Sequence, residues 1–473
     1  MNDTRKVILL TGATGAMGRE AVGFIAAQRE TLALRVLVRP EERSHPVVRD
    51  IQRKDLATIV WGDLTDPALV RQAVRGADVV LHVGALVSPL ADRLPPALVH
   101  KVNVGGTQNI VDAIHAEGGA QRTRLVYIGT VAETGSRNAP VHWGRAGDPI
   151  KISAYDHYAV SKTLAEAVVA QSGLKYWVSL RQSGMAHFEM WKIFDPIMFH
   201  TPLNGVFEWS TAHDSGRLMA AVCGEAVPEA FWRGVYNIGG GAASRVVNHE
   251  FMRASLPQFQ SILKPHWFAT RNFHGQWYAD SDVLEALVPF RQQTLSDYFA
   301  LAPKHMPWLV RQAPKFLPGA VGKRIEKLAR APGGSLHWFQ ADETAKIAAH
   351  FGSRQAWEAI PRDWDHFAFD QPSKTPTLLN HGYDERRAPE DWTIADLRQA
   401  AEFRGGACLS RACHDPDTPV SWRASDGQVF SMTPRLYLKG GHWGPVRIGD
   451  PDADRREAQR NPFFAQVWSD VDG

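Results

Sequence analysis

From Lys6 to about residue 245, short runs of consecutive apolar residues alternate with segments whose apolar residues recur every three or four positions. The runs are KVILL, LRVLV, TIVWG, DVVLHVGA, RLVYIGT and KYWVSLR; the periodic segments are GREAVGFIAAQ, PALVRQAVRG, GGTQNIVDAIHAE and YAVSKTLAEAVVAQS. Unbroken apolar runs suit strands covered on both faces, and the helical period suits helices laid over them, so the pattern predicts an α/β protein with a doubly wound parallel sheet. The regularity fades after residue 185, although GVYNIGG at 234–240 reads as one more buried strand. Residues 250–330 are helical in pattern, aromatic and broken by prolines, which fits a cover over a substrate better than more sheet. Beyond about residue 335 the chain is rich in Trp, His, Pro and Asp, with one clear helix signal in TIADLRQAAEF.

Composition narrows the possibilities. A chain of 473 residues exceeds one compact domain. Its 53 basic and 50 acidic side chains nearly cancel and form no long cationic run, so nucleic acid is not an expected partner. MNDTRKVILLTG shows no signal-peptide pattern, and no apolar stretch approaches the roughly 20 residues that span a bilayer, so a soluble cytoplasmic protein is expected. Three cysteines, Cys223, Cys408 and Cys413, are too few to staple a chain of this size. Most of the 16 tryptophans lie beyond residue 170, so the later part must bury or use many large rings.

The chemistry begins at the first turn. After the strand ending at Leu10, TGATGAMG places Gly12, Gly15 and Gly18 immediately before a helix. Glycines there allow a tight turn and let a pyrophosphate approach the free N–H groups of the helix N-terminus, so Gly12, Thr14, Gly15, Ala16, Met17 and Gly18 are candidate dinucleotide-binding residues of a Rossmann fold. The second strand ends in Arg39, where an NAD-preferring site carries an acid, and Arg43 follows. This favours a 2′-phosphate and hence NADP(H), with NAD(H) possible. Asp63 in WGDLTD is suitably placed for the adenine amine, while Asp66 before Pro67 reads as a helix N-cap.

TGATGAMG, GDLTD, DVVLHVGA, NVGGTQN, YIGTVAETG, YAVSK, the strand-end arginine of SLRQSG and NIGGG occur in order between residue 6 and about 245. In this the chain resembles the extended short-chain dehydrogenase/reductase family, which includes sugar-nucleotide epimerases, dihydroflavonol-type reductases and hydroxysteroid dehydrogenases. The resemblance implies Tyr158 as proton donor or acceptor, Lys162 as its partner, Thr130 as the hydroxyl that orients the reacting oxygen, and Leu64, Gly84 and Ala85 as further cofactor contacts. Independently, Tyr158 and Lys162 are four residues apart and share a helix face, where an ammonium and an oxidised nicotinamide both favour phenolate and the ammonium can also bind the nicotinamide ribose; Tyr155 has Ala159 at that spacing. Gly129 stands where the family often has a second serine. Asn103 is the family's helix asparagine, expected to hold a water or a kinked carbonyl. His82 is either a cofactor neighbour or a core histidine, and Ser88 is placed at the substrate.

The implied division is a dinucleotide-binding domain over 1–245, an interleaved and mainly helical substrate-binding region over 185–335, and a small C-terminal module over 336–473. The resemblance also sorts reactions. Sugar-nucleotide dehydratases carry an Asp–Glu pair directly after the catalytic Thr, whereas Val131 and Ala132 follow Thr130. The expectation is an NADP-dependent carbonyl/alcohol oxidoreductase with a fairly hydrophobic small-molecule substrate; the alternatives are an NAD-retaining epimerase and a non-enzymatic dinucleotide sensor. Tyr155, Met185, His187, Phe188 and Trp191 are candidate pocket residues, and TRNFHGQWYADS, with Phe273, His274, Trp277 and Tyr278, is a candidate lid.

The segment from GGACLS to GGHWGP resembles small zinc-ribbon modules. Ala424 and Gly444 stand where those modules carry cysteines, so no metal is expected; Cys408, Cys413, His414 and His442 are the substitute set considered. A metal-free β-rich module held by Trp422, Phe430, Tyr437 and Trp443 is expected, serving a homodimer or closing the active site.

Overall fold

A computed structural model of the chain describes residues 4–137 and 139–468; the outermost residues of the expected 1–245 and 336–473 bounds lie outside these. The seven apolar runs become strands β1 (Lys6–Thr11), β2 (Leu32–Val38), β3 (Thr58–Trp61), β4 (Val79–His82), β5 (Arg124–Thr130), β6 (Tyr176–Gln182) and β7 (Gly234–Ile238). They form one sheet in the order β7-β6-β5-β4-β1-β2-β3, with every neighbouring pair parallel. The connections diverge between β1 and β4, which opens a crevice at the carboxyl edge of the sheet.

Helices cover both faces because each strand is apolar on both sides. On one face lie α1 (Ala16–Ala26), α2 (Pro46–Lys54) and α6 (Ala212–Ala221), packed on Ile8, Leu10, Val36 and Leu81. On the other lie α3 (Pro67–Val74), α4 (Gly106–Ala116) and α5 (His157–Ala170), packed on Leu9, Val80, Leu125 and Trp177. Asp66 caps α3 as expected, accepting from the N–H groups of Ala68 and Leu69 at 2.9 and 3.1 Å.

Residues 248–358 are mainly short helices, among them α7 (Trp308–Phe316) and α8 (Pro318–Ala329). The C-terminal segment holds α9 (Ile394–Phe403) and a three-stranded antiparallel sheet of β8 (Ala407–Cys408), β9 (Val420–Arg423) and β10 (Val429–Met432). Thr393 and Asp396 close α9 with a capping box. Trp422 stacks on Tyr437 with ring centroids 3.8 Å apart, and Phe430 leans on the same tyrosine. Trp443 leaves that group: its indole donates to the Ile150 carbonyl at 2.8 Å.

The segment shares its core with the sheet. Tyr383, Trp392, Leu397, Trp422, Leu436 and Tyr437 belong to the same buried cluster as Leu125, Ala165 and Trp177. Many of the 16 tryptophans therefore have a structural use, filling this seam and the smaller helical cores. No helix among the described residues is long and apolar enough to cross a membrane.

Candidate active site

At the crevice the glycine turn is held by close backbone packing. Gly12 has φ +73°, and a Cβ on it would lie 2.7 Å from the Gly84 backbone. A Cβ on Gly18 would lie 2.0 Å from the Gly12 carbonyl oxygen, so both positions exclude any side chain. The Thr11 hydroxyl accepts the Gly84 N–H at 2.9 Å, which fixes Gly84 and Ala85 opposite the turn. Gly15 caps α1 in extended conformation, so Ala16 begins the helix, while Met17 and Gly18 turn into the core. The helix N-terminus that results suits a pyrophosphate. The turn thus fits a dinucleotide by its shape and by its free N–H groups.

His82 belongs to the scaffold. Its two ring nitrogens lie 3.0 Å from the Thr11 hydroxyl and 2.9 Å from the Thr107 hydroxyl. Burial, with Lys162 nearby, pushes its pKa down to about 3, so the ring is neutral. Asn103 is also structural. It accepts the Leu86 N–H at 2.8 Å and donates to the Leu86 carbonyl and the Ser161 hydroxyl, each at 2.9 Å.

At the adenosine end the structure adds a residue that the sequence reading passed over. Glu42 accepts from the Arg39 guanidinium at 3.2 Å and from the Thr14 hydroxyl at 2.7 Å. Burial pushes the Glu42 carboxyl up, but the bonds from Arg39 and Thr14 outweigh it and leave the group below its ordinary value. Arg43 lies over the Trp61 ring at 4.8 Å. Asp63 accepts from the Thr65 N–H and hydroxyl at 2.8 and 2.7 Å, and Leu64 accepts from Asn109 at 2.8 Å.

Tyr158 and Lys162 lie on the first two turns of α5, and Thr130 ends the adjacent β5. Asp156 caps α5, accepting the Ala159 N–H at 2.8 Å. The Thr130 hydroxyl interacts with the Tyr158 phenol, pulling its pKa down against a larger upward push from burial, with Asp156, Glu133 and Asp92 adding to the push. The phenol therefore stands well above its ordinary value and is protonated. Lys162 is buried, its Nζ 4.2 Å over the Tyr127 ring, and burial brings it down to about 8 although Glu133 and Glu166 pull it up. Desolvation outweighs pair attraction in this arrangement.

Glu133 supplies the explanation for Thr130. Its carboxylate accepts the Thr130 N–H at 3.0 Å, completing a capping box that T-x-x-E at 130–133 already spells out. Behind it Arg181 donates to Glu166 at 3.0 and 2.5 Å, lies 3.4 Å from Glu133 and donates to the Gly440 carbonyl at 2.7 Å. His442 Nε2 lies 3.2 Å from Glu166. Two buried carboxylates thus share one guanidinium. Burial and the neighbouring Glu166 charge push Glu133 up to about 8, while Arg181 and His442 hold Glu166 well below the carboxylate range. Glu133, Glu166 and His442 are close enough to be considered for a metal, but Arg181 fills their midst as the counter-charge. His442 is therefore not available to Cys408, Cys413 and His414.

Around the phenol, Asp92, Asp156 and His274 form a polar rim, of which the sequence names only His274, as part of the lid. His274 lies 3.6 Å from Asp156, and Ser88 donates to Asp92 at 3.1 Å. Burial and then the Asp156 charge raise the Asp92 pKa. Tyr155 stands exposed beside them with φ +67°.

The other expected pocket residues have the following neighbours. Met185 packs at the edge of the sheet core, and Phe188 stacks on His305 at 3.9 Å. The His187 ring lies near Arg19 of α1, and burial lowers its pKa; Trp191 lies under Lys192. The same loop is fastened to α1 by an Arg19–Glu189 pair at 2.7 Å. Within the expected lid, Trp277 and Tyr278 are buried in a short strand pairing with Trp143 and Gly144, while His274 reaches the polar rim and Phe273 stacks on it.

Comparison with known proteins fits this geometry. Residues 8–183 match the NAD dependent epimerase/dehydratase family. Human 3 beta-hydroxysteroid dehydrogenase type 7 is 31% identical over 171 residues, covering 35% of this chain and 44% of that protein. The rat protein of the same name is 32% identical over 144 residues, 29% of this chain and 41% of its own. The chain thus spans under half the length of these curated relatives. Among solved structures, dTDP-glucose 4,6-dehydratase of Streptomyces venezuelae, with NAD and TYD bound, superposes with TM-score 0.51 at 21% identity, covering 66% of this chain and 99% of that one. The Bacillus anthracis dTDP-glucose 4,6-dehydratase in complex with NAD gives TM-score 0.50 at 15% identity, covering 66% and 98%. These two likenesses concern the fold.

Proposed function

We propose that this chain, whose residues 8–183 match the NAD dependent epimerase/dehydratase family, is an oxidoreductase that interconverts a carbonyl and an alcohol with a nicotinamide dinucleotide. The observation that carries the reading is the placement of Tyr158, Lys162 and Thr130 at the edge of the sheet where the glycine turn opens.

Gly12, Gly15, Gly18 and the N-terminus of α1 would hold the dinucleotide, which supplies or accepts hydride when bound. The rest of the chemistry belongs to the chain. Tyr158 is protonated, so in reduction its Oη gives its proton to the substrate carbonyl oxygen as negative charge develops there. The Thr130 hydroxyl positions that oxygen, and the Lys162 ammonium stabilises the phenolate left behind. In oxidation the phenolate takes the proton back. Dehydration finds less support, because the acid nearest Thr130 is Glu133 and its carboxylate is turned to the Thr130 backbone and to Arg181.

Val87, Leu90 and Tyr155 are exposed beside the polar rim, which supports a substrate with a hydrophobic body and one reacting oxygen. Arg39 and Arg43 support NADP(H). One observation favours NAD(H) as a second reading: Glu42 already occupies Arg39 and would repel a 2′-phosphate. The three free cysteines agree with a reducing, cytoplasmic setting.

The test is to denature the purified protein, identify any released dinucleotide, and follow NADPH and NADH consumption with a panel of aldehydes and ketones. Exchangeable cofactor with net carbonyl reduction is expected. Tightly retained NAD with no net consumption would transfer the reading to epimerisation.

A further inference from the structure

Among the described residues, six of the 14 exposed large apolar side chains lie in two short segments, Ile193–Phe194 and residues 308–317. On α7, Trp308, Leu309 and Phe316 project on one side and Leu317 continues the stripe, with exposures of 61, 72, 73 and 62%. Pro314, on the other side of the helix, is buried. Helices that only support a fold bury their large residues; α7 presents them outward.

Charge surrounds this stripe. Between residues 302 and 330 there are seven Lys and Arg residues and a single acid, Glu326, which is paired with Arg330. Lys315, Lys323 and Lys327 are exposed along the same two helices, and Lys304 is exposed in the turn just before them.

The face reaches the active site. The Arg324 guanidinium lies 5.6 Å from the Phe194 ring centroid, joining α8 to the 193–194 segment. Asp195 then pairs with Arg93, in the turn next to Leu90 and Asp92 at the polar rim.

We infer that α7, α8 and the 193–194 segment form a docking face for an anionic lipid surface, with Trp308, Leu309 and Phe316 entering the interface and the surrounding lysines meeting lipid headgroups. Tryptophan and leucine beside lysines, on a helix without the length to span a bilayer, are the composition of an interfacial helix. Each lysine near an anionic surface adds about 1 kcal/mol, roughly a fivefold gain in affinity. Docking itself is independent of the catalytic reading; delivery of a membrane-dissolved substrate through the adjoining rim rests on it.

The experiment is density flotation of the full chain with phosphatidylcholine vesicles, with and without phosphatidylserine. Flotation is expected with phosphatidylserine at low salt and should weaken as salt rises. A Leu309→Glu/Phe316→Glu double variant should lose at least tenfold in vesicle affinity while still binding dinucleotide, which shows that it folds. A Lys315→Glu/Lys323→Glu variant should lose several-fold only with anionic vesicles. Tyr158→Phe should float as well as wild type, which separates this face from the catalytic chemistry. No flotation, or flotation undiminished in the double variant, overturns the inference; so does an oligomer that the double variant dissociates, because a second copy of the chain would then cover the face.

Discussion

The glycine-turn edge of the sheet and the seam with the C-terminal segment are both tightly packed, but they are assembled differently. At the edge, Gly12, Gly15, Gly18 and α1 come from one strand–turn–helix unit, and the backbone does the work. At the seam, the Arg181 guanidinium meets a carbonyl 259 residues away and Glu166 meets a histidine 276 residues away. A second such cluster joins Asp148 to His381 at 3.0 Å and Arg145 to Glu385 at 2.6 Å. The glycine-turn edge is thus a local motif, whereas the ground behind Tyr158 and Lys162 is completed by residues from the far end of the chain.

Breaking the seam at its centre should have the largest effect. Arg181→Met leaves Glu166 buried without its guanidinium, and the unfolding free energy should fall by about 3–5 kcal/mol in denaturant titration. A loss below about 1 kcal/mol would mean that the network adds little. His442→Leu removes one partner and leaves Arg181 and Ser179 on Glu166, so about 1–2 kcal/mol is expected, with dinucleotide affinity unchanged. If dinucleotide binding weakened instead, edge and seam would not be separable.

Lys162 lies between the two regions and gives the pH dependence. Burial lowers it from the ordinary lysine value to about 8, so its charge is present below that pH and disappears as pH rises through it. Tyr158, displaced upward, remains a proton donor across the same range. kcat/KM for carbonyl reduction should therefore fall above about pH 8, approaching roughly tenfold per unit, and Lys162→Met should flatten the profile at a lower rate. A wild-type profile level to pH 10 would contradict this assignment. The smallest effect belongs to the edge alone. Glu42→Gln releases Arg39 and should raise the NADPH/NADH affinity ratio about fivefold, the size of one screened charge pair of about 1 kcal/mol. An unchanged ratio would remove Glu42 from cofactor selection.

This difference in assembly also explains how far the sequence could be read. Strands β1 to β7, the glycine turn and the Tyr158–Lys162 pair follow from period and spacing over a few residues, and each is found where the pattern predicts it. The Thr130–Glu133 capping box was equally local, and its T-x-x-E signature stands in the chain. Asp92, Asp156 and His274 carry no shared spacing, so only the fold brings them to one rim. Trp277 and Tyr278 read as a lid because aromatic residues between turn residues look the same whether buried or exposed. His442 read as a possible thiolate-site ligand because nothing near it announces Glu166. The protonation of Tyr158 depends on burial, which spacing does not carry.

The most direct test of the account is Tyr158→Phe, with turnover and dinucleotide binding measured on the same preparation. The account predicts a loss of about 10²–10⁴-fold in kcat with the cofactor still bound at wild-type affinity, because only the proton donor is removed. Full turnover in Tyr158→Phe would contradict it and leave the glycine-turn edge as a binding site without this chemistry.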